Sequence, residues 1–315
     1  MNLDFLRFGI FDEIEAFWLE NMGVEPALLQ LSAGSLNFEV CSHDLAGLTV
    51  TWVRSEGRQL WHDTANEGAV HFGYVIDSQG PVVSGGIEVG SCDAMVWMPS
   101  KEINYLLEGP LTSVEFTIPD ELAAMLGWKL KGPPLQKVFK ADLDNLTHSA
   151  LMASEWLNAN SDCVPEVLAI RKQIWRDWIL EALSKVLVPW LNSRSSGILP
   201  NPSTRKFRMI KSAVAMFDAA DPDLDLDVDE IAANLGVSRR TLFYSFQKEL
   251  GIGPRRYFEL RRLHALRRDL AKSHRDEQTV TNLAHLHGFT QLGRMASVYK
   301  EHFGETPSET LGKSN

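Results

Sequence analysis

Cysteine is scarce in this chain: Cys41, Cys92 and Cys163 are the only three among 315 residues. They lie far apart and show no metal or redox spacing, so each reads as a small buried thiol in a reducing compartment. No apolar run approaches the roughly 20 residues of a membrane-spanning helix. The N-terminus carries Asp4, Asp12, Glu13 and Glu15 where a secretory leader would be basic. These absences predict a globular cytoplasmic chain with no membrane partner. A Gly-rich phosphate loop, a paired-carboxylate motif and a nucleophile elbow are all missing, so no enzyme activity and no catalytic residue is expected. Metal and cofactor are not expected either: His43, His62 and His71 stand singly, without a His-x-His pair among the strand segments.

A net charge of −10 argues against a nucleic-acid partner until its distribution is examined. Residues 1–202 hold 13 basic and 26 acidic residues, whereas 203–315 hold 18 and 15. Within 238–275 there are 11 basic residues against three acidic ones. A basic stripe along adjoining helices is the electrostatic footprint of a protein that tracks a phosphate backbone.

Taken in order, the chain opens with a short helix predicted over Phe11 to Met22. From Ser35 the apolar period becomes two. Leu36, Phe38 and Val40 alternate with polar or small neighbours, as do Leu48, Val50 and Trp52, and Val70, Phe72, Tyr74 and Ile76. Further strands are predicted around Val82-Val83, Ile87 to Val89, Ala94 to Met98 and Val114 to Ile118. Short strands with frequent Gly and Pro turns imply a small antiparallel barrel or sandwich over 35–118. Trp52, Trp61, Phe72, Tyr74 and Trp97 are candidate lining for an effector pocket, against the plainer reading that each is core.

Helical periodicity follows over Asp120–Trp128, Leu143–Asn158 and Pro165–Leu191. In the longest segment Val164, Leu168, Trp175, Ile179, Ala182, Val186 and Trp190 form one stripe, suited to core packing or to a homodimer seam. The polar, Pro- and Gly-punctuated run 192–202 marks a linker. Arg205 to Phe217 is the first helix beyond it. The acidic run from Asp218 to Asp229, counted as a loop from Asp221, lacks the Gly and Glu of a calcium site, and Asp227 reads as a helix cap.

The most informative stretch is Asp229 to Lys248: a short helix, a turn at Gly236, and a second helix capped by Ser238. Ile231, Leu235, Val237, Leu242 and Phe246 are spaced to pack the two helices together. Arg239, Arg240, Phe243, Tyr244 and Gln247 are left outside, as in a helix that lies in a major groove. A similar pattern recurs from Val280 to Gly288 and from Gln291 to Lys300. Between them, Arg255 to Lys272 forms a spacer with Tyr257, Leu260, Leu263 and Leu270 inward. Its eighteen residues span roughly 27 Å at about 1.5 Å each, near the roughly 34 Å of one DNA turn. Arg240, Phe243, Tyr244, Gln291, Arg294 and Ser297 are the candidate base readers. Ser238, Arg239, Gln247, Lys248, Arg261, Arg262 and Lys300 are the candidate backbone contacts.

The run Ser238-Arg239-Arg240-Thr241-Leu242 … Phe246 … Leu250-Gly251-Ile252-Gly253-Pro254, then Gly288-Phe289 … Tyr299-Lys300 … Phe303-Gly304 … Thr306-Pro307-Ser308, resembles the arabinose-regulator family of bacterial transcription factors. Arg267-Arg268-Asp269-Leu270, Leu292-Gly293 and Pro307 to Leu311 are most similar to its ethanolamine-operon regulator branch. The resemblance is strong over 203–311 and weaker over 35–122. It implies an α+β chain with three parts. These are a cupin-like antiparallel β-barrel that senses an effector (1–140), a helical dimerisation segment and linker (141–202), and an all-α domain with two helix-turn-helix units (203–315). It further implies an activator of a catabolic operon, partnered by operator DNA, RNA polymerase and a small effector such as ethanolamine. The broad family has Ser and Phe where this chain has Gly293 and Met295. Gly costs a helix about 1 kcal/mol, so the second unit is expected to contribute less to base readout. A protein-interaction adaptor and a DNA-repair enzyme are the competing classes. The enzyme needs a reactive Cys beside His and Arg, which Cys163-Val164-Pro165 lacks.

Overall fold

The computed structural model describes residues 3–311 except 9–10, 23–26, 35–36, 65–67, 85–86, 91–92, 98–101, 131–134, 193–201, 220–227, 275 and 277. Leu36, Cys92, the linker at 193–201 and residues 221–227 of the acidic run, with Asp227, therefore lie outside the described residues. The chain begins with β1 (Leu6–Phe8), α1 (Phe11–Met22), β2 (Ala27–Gln30), β3 (Phe38–Leu45), β4 (Leu48–Ser55), β5 (Arg58–Thr64) and β6 (Ala69–Ser78). It continues through β7 (Val82–Ser84), β8 (Ile87–Val89), β9 (Asp93–Trp97), β10 (Glu102–Glu108), β11 (Leu111–Pro119), α2 (Asp120–Met125) and β12 (Leu135–Lys137). The remainder is helical: α3 (Lys140–Ala159), α4 (Pro165–Leu191), α5 (Pro202–Ala219), α6 (Val228–Asn234), α7 (Arg239–Leu250), α8 (Pro254–Lys272), α9 (Val280–Leu286), α10 (Leu292–Phe303) and α11 (Pro307–Leu311).

The strands form two antiparallel sheets, one in the order β1-β3-β4-β11-β6-β9-β12 and the other β2-β5-β10-β7-β8. No ladder joins them among the described strands, so of the expected barrel or sandwich these strands form the sandwich, a pair of facing open sheets, and not a closed barrel. Their outermost strands explain this. β1, β12 and β8 have three residues each and β2 has four, too short to carry a staggered register around a closed wall.

Period-two alternation assigns the faces of the larger sheet. On β11, Val114, Phe116 and Ile118 are buried on the outer face, joined by Trp52 of β4 and by Phe72 and Tyr74 of β6. The α3–α4 hairpin covers them with Leu146, Ala150, Trp175, Ile179, Leu183 and Trp190. Trp190 meets Phe72 edge-on at 6.0 Å between ring centroids, and Trp52 Nε1 donates to Ser154 Oγ at 2.9 Å. The predicted α4 stripe is thus mainly core. A second stripe on the same helix, Val167, Ile170, Ile174 and Trp178, faces outward and is exposed.

The smaller sheet has apolar residues on both faces. Trp61 and Leu28 pack inward against Phe38, Val40 and Val53 of the larger sheet. Leu29, Leu31, Leu60 and Leu106 face outward and share one apolar cluster with Ile210, Phe246, Phe258, Leu263 and Tyr299 of the C-terminal helices. Four layers result, hairpin, larger sheet, smaller sheet and C-terminal helices, with the interior between the two sheets.

The free edge of β2 is also engaged by those helices. Gln30 N–H donates to His264 Nε2 of α8, and His302 Nε2 of α10 donates to Gln30 O, both at 3.2 Å. Leu28 N–H donates to Glu15 Oε1 at 3.1 Å, and the same carboxylate receives Arg268 at 3.2 Å. Side chains thereby satisfy edge groups that would otherwise offer a template for another strand.

Candidate nucleic-acid interface and ligand cavity

Helix α7 begins where Ser238 Oγ accepts the Thr241 N–H at 3.1 Å and ends at Gly251, whose φ of +65° is the left-handed conformation that favours a residue without a Cβ. The expected cap and helix are both present. Leu242, Ser245, Phe246 and Leu250 are buried, which leaves Arg240, Phe243, Tyr244, Gln247 and Lys248 exposed together with Arg239. Phe243 is about half exposed and its ring edge rests on Gly253, where a Cβ would come within 2.8 Å. Lys206 Nζ sits 5.1 Å from the centre of the Tyr244 ring. Arg239 pairs with Asp229 of α6 at 2.8 Å, and Gln247 Nε2 donates to Gly251 O at 2.9 Å.

In the second helix pair the side-chain cap stands on the first helix, and α10 begins at Gln291 without one. Thr279 Oγ1 accepts the Asn282 N–H at 3.2 Å to start α9, a cap that the sequence reading did not single out. In α10, Met295, Tyr299, His302 and Phe303 are buried, as expected for Met295 and Tyr299. Gln291, Arg294, Ser297 and Lys300 are exposed. Arg294 lies 3.8 Å from Glu259 of α8, while Ser297 Oγ donates back to Gly293 O at 3.0 Å. Tyr257, Leu260, Leu263 and Leu270 line the buried side of α8, as their spacing predicts.

Two of the expected backbone contacts have other work. Arg261 forms a two-pronged pair with Asp218 at 2.7 and 2.8 Å, and Arg262 lies over the Phe217 ring at 5.2 Å. Both tie α8 to α5. Arg267 is largely buried between Glu305, at 3.0 Å, and the Phe303 ring.

A cavity of about 100 Å³ lies between the two sheets. Trp18, Phe38, Trp61, Tyr74, Tyr105 and Leu107 line it, with His71, Ser113 and Glu115 as its main polar side chains. Of the aromatics expected there, Trp61 projects into it, whereas Tyr74 only borders it and turns its ring to the hairpin side beside Phe72. Trp52 and Phe72 point to the opposite face of their strands and pack against the hairpin, so both are core. Trp97 pairs with His71 across the strands, but its side chain lies outside the described residues. Burial pushes the Tyr74 hydroxyl well above the ordinary tyrosine value, and it meets Thr147 Oγ1 at 2.8 Å. His71, read from sequence as an isolated structural residue, is inside the cavity wall. Its Nδ1 lies 3.1 Å from Thr117 Oγ1 and 3.2 Å from Glu115 Oε1. The cross-strand register of β6 and β11 brings those three residues together, which a list of lone histidines does not disclose.

Residues 231–313 match the family model of a helix-turn-helix domain. The C-terminal third therefore carries a helix-turn-helix domain. The chain is 32% identical over 197 residues to a probable thc operon regulatory protein of Rhodococcus erythropolis, covering 61% of this chain and 57% of that protein. It is 33% identical over 87 residues to a XylDLEGF operon transcriptional activator of Pseudomonas putida, covering 28% of this chain and 27% of that one. Thus it spans little more than half of the first relative and about a quarter of the second. Among solved structures, a probable AraC family transcriptional regulator from Rhodopseudomonas palustris is 29% identical over 34% of this chain and 98% of that chain, with a TM-score of 0.32.

Proposed function

We propose that this chain is a sequence-specific DNA-binding transcription regulator of the arabinose-regulator type, an activator of a catabolic operon. In this reading a small effector occupies the intersheet cavity. Residues 1–140 sense, 141–202 dimerise and link, and 203–315 bind DNA. Support comes above all from the outer face of α7, where Arg240, Phe243 and Tyr244 stand exposed on a helix whose other side is fully packed. Guanidinium and aromatic groups on one helix face match the guanine acceptors and thymine methyls of a major groove. The operon regulators among its relatives agree with this chemistry. Gln291, Arg294 and Ser297 of α10 form a second, weaker reading face. Ser238, Arg239, Gln247, Lys248 and Lys300 flank the two as phosphate contacts, whereas Arg261 and Arg262 serve the fold. A homodimer through Val167, Ile170, Ile174 and Trp178, and contact with RNA polymerase, complete the reading.

The test is binding of the full chain to a randomised duplex library over a range of salt. Enrichment of one sequence, with affinity falling as salt rises, is expected. Absence of any enriched sequence at low salt removes the regulator in favour of a protein-interaction adaptor.

A further inference from the structure

The intersheet cavity also has a chemical preference, and its argument rests on that cavity being the effector site proposed above. His71 is 3% exposed. An ionised carboxylate can only accept, so the Glu115 contact holds the proton on Nδ1, where Thr117 Oγ1 shares it. In the neutral ring Nε2 is then a lone-pair acceptor. It is buried and has no hydrogen-bond partner among the described residues, an arrangement proteins seldom leave unsatisfied. Around it the cavity is walled by aromatic rings, chiefly Trp18, Phe38, Trp61 and Tyr105. None of the described lining side chains is a lysine or arginine, and Glu115 is an acid. A volume of about 100 Å³ is of the same order as the roughly 150 Å³ that takes benzene.

We infer that the effector is a compact, ring-sized apolar molecule carrying one hydrogen-bond donor, a hydroxyl or amine, which donates to His71 Nε2. Carboxylates are disfavoured: they bring an acceptor to an acceptor and a negative charge towards Glu115, with no lining cation to offset it. Ethanolamine, which the sequence resemblance implies, has donors but only two methylene groups to set against four aromatic rings.

The test is calorimetric titration of the full chain with benzyl alcohol, toluene, benzoate and ethanolamine, using Trp18 and Trp61 fluorescence as a second readout. Benzyl alcohol is expected to bind at least about tenfold more tightly than each of the others, the scale of one buried hydrogen bond. The substitution His71→Phe should reduce its affinity to that of toluene. Because that variant changes a buried residue, nitrogen NMR of His71 in the unaltered chain provides an independent check. Nε2 should carry no proton in the free protein and should shift when benzyl alcohol is added. A protonated Nε2, no binding of benzyl alcohol, or equal binding of toluene, benzoate or ethanolamine overturns the assignment. Benzoate filling the cavity while DNA is still bound specifically would reject the ligand class and leave the regulator standing. Benzyl alcohol binding by a chain with no DNA affinity would reject the regulator and leave the ligand class.

Discussion

Leu60 and Trp61 are consecutive residues of β5, yet they belong to different compartments. Trp61 lines the cavity, and Leu60 lies in the apolar cluster of the C-terminal helices. Tyr105 and Leu106 repeat the arrangement on β10, so one sheet separates the ligand space from the helix-turn-helix domain. Replacing Leu60 or Leu106 with Ala should cost about 2–5 kcal/mol of stability and loosen the contact between the two. Proteolysis within 193–201 should accelerate, as read by gel, while benzyl alcohol affinity changes little. Unchanged melting and cleavage would mean that the sheet and helices are not held together by these leucines.

The β2 edge makes the fold sensitive to acid. His264 must be neutral to accept from Gln30, and burial and the neighbouring His302 hold its pKa well below the ordinary histidine value. Burial, then Arg256, pulls His302 down to about 4. Both rings therefore take up protons more readily unfolded than folded. Stability should be full above about pH 6.5, the unfolded value, and should fall as the pH drops towards 4, by about 3 kcal/mol for His302 alone. Urea denaturation at stepped pH checks this, and His302→Gln should flatten the dependence.

Arg240 and Arg261 should behave differently on substitution. Arg240→Ala is expected to cost about 1–3 kcal/mol at one base position and relax preference there. Arg261→Ala should instead lower the melting temperature by unpairing Asp218, without changing the salt slope of DNA binding. Arg294→Ala should matter less than Arg240→Ala. Library selections with each variant give the comparison, and an unaltered sequence preference in Arg240→Ala would take that residue out of base readout.

Ser238→Ala and Thr279→Ala each remove one helix cap. Each should cost about 1 kcal/mol, measured by chemical denaturation, with no change in the cavity. A larger effect of Ser238→Ala on DNA affinity than on stability would point to its additional phosphate contact.

The exposed stripe of α4 predicts self-association. Substituting Asp for Ile170 and Trp178 together should convert a dimer to a monomer in sedimentation velocity, because both side chains lie outside the core. A dimer that persists must use another surface.

Elements whose cause is local were legible in the sequence. Phe11–Met22 and Pro165–Leu191 have the bounds that their apolar period predicts, and the Ser238 cap and the inward set Leu242, Phe246, Met295 and Tyr299 lie where helical spacing puts them. Helices carry their hydrogen bonds within one segment, so spacing and caps are enough. β5 and β10 escaped the reading for a physical reason: Leu60-Trp61 and Tyr105-Leu106-Leu107 are covered on both sides, and a strand covered on both sides does not alternate. The cavity, the His71–Glu115 contact and the link from Gln30 to His264 and His302 were likewise decided by tertiary structure. They join residues up to 272 positions apart, and only strand register and the seating of the helices on β2 bring those groups within hydrogen-bonding distance.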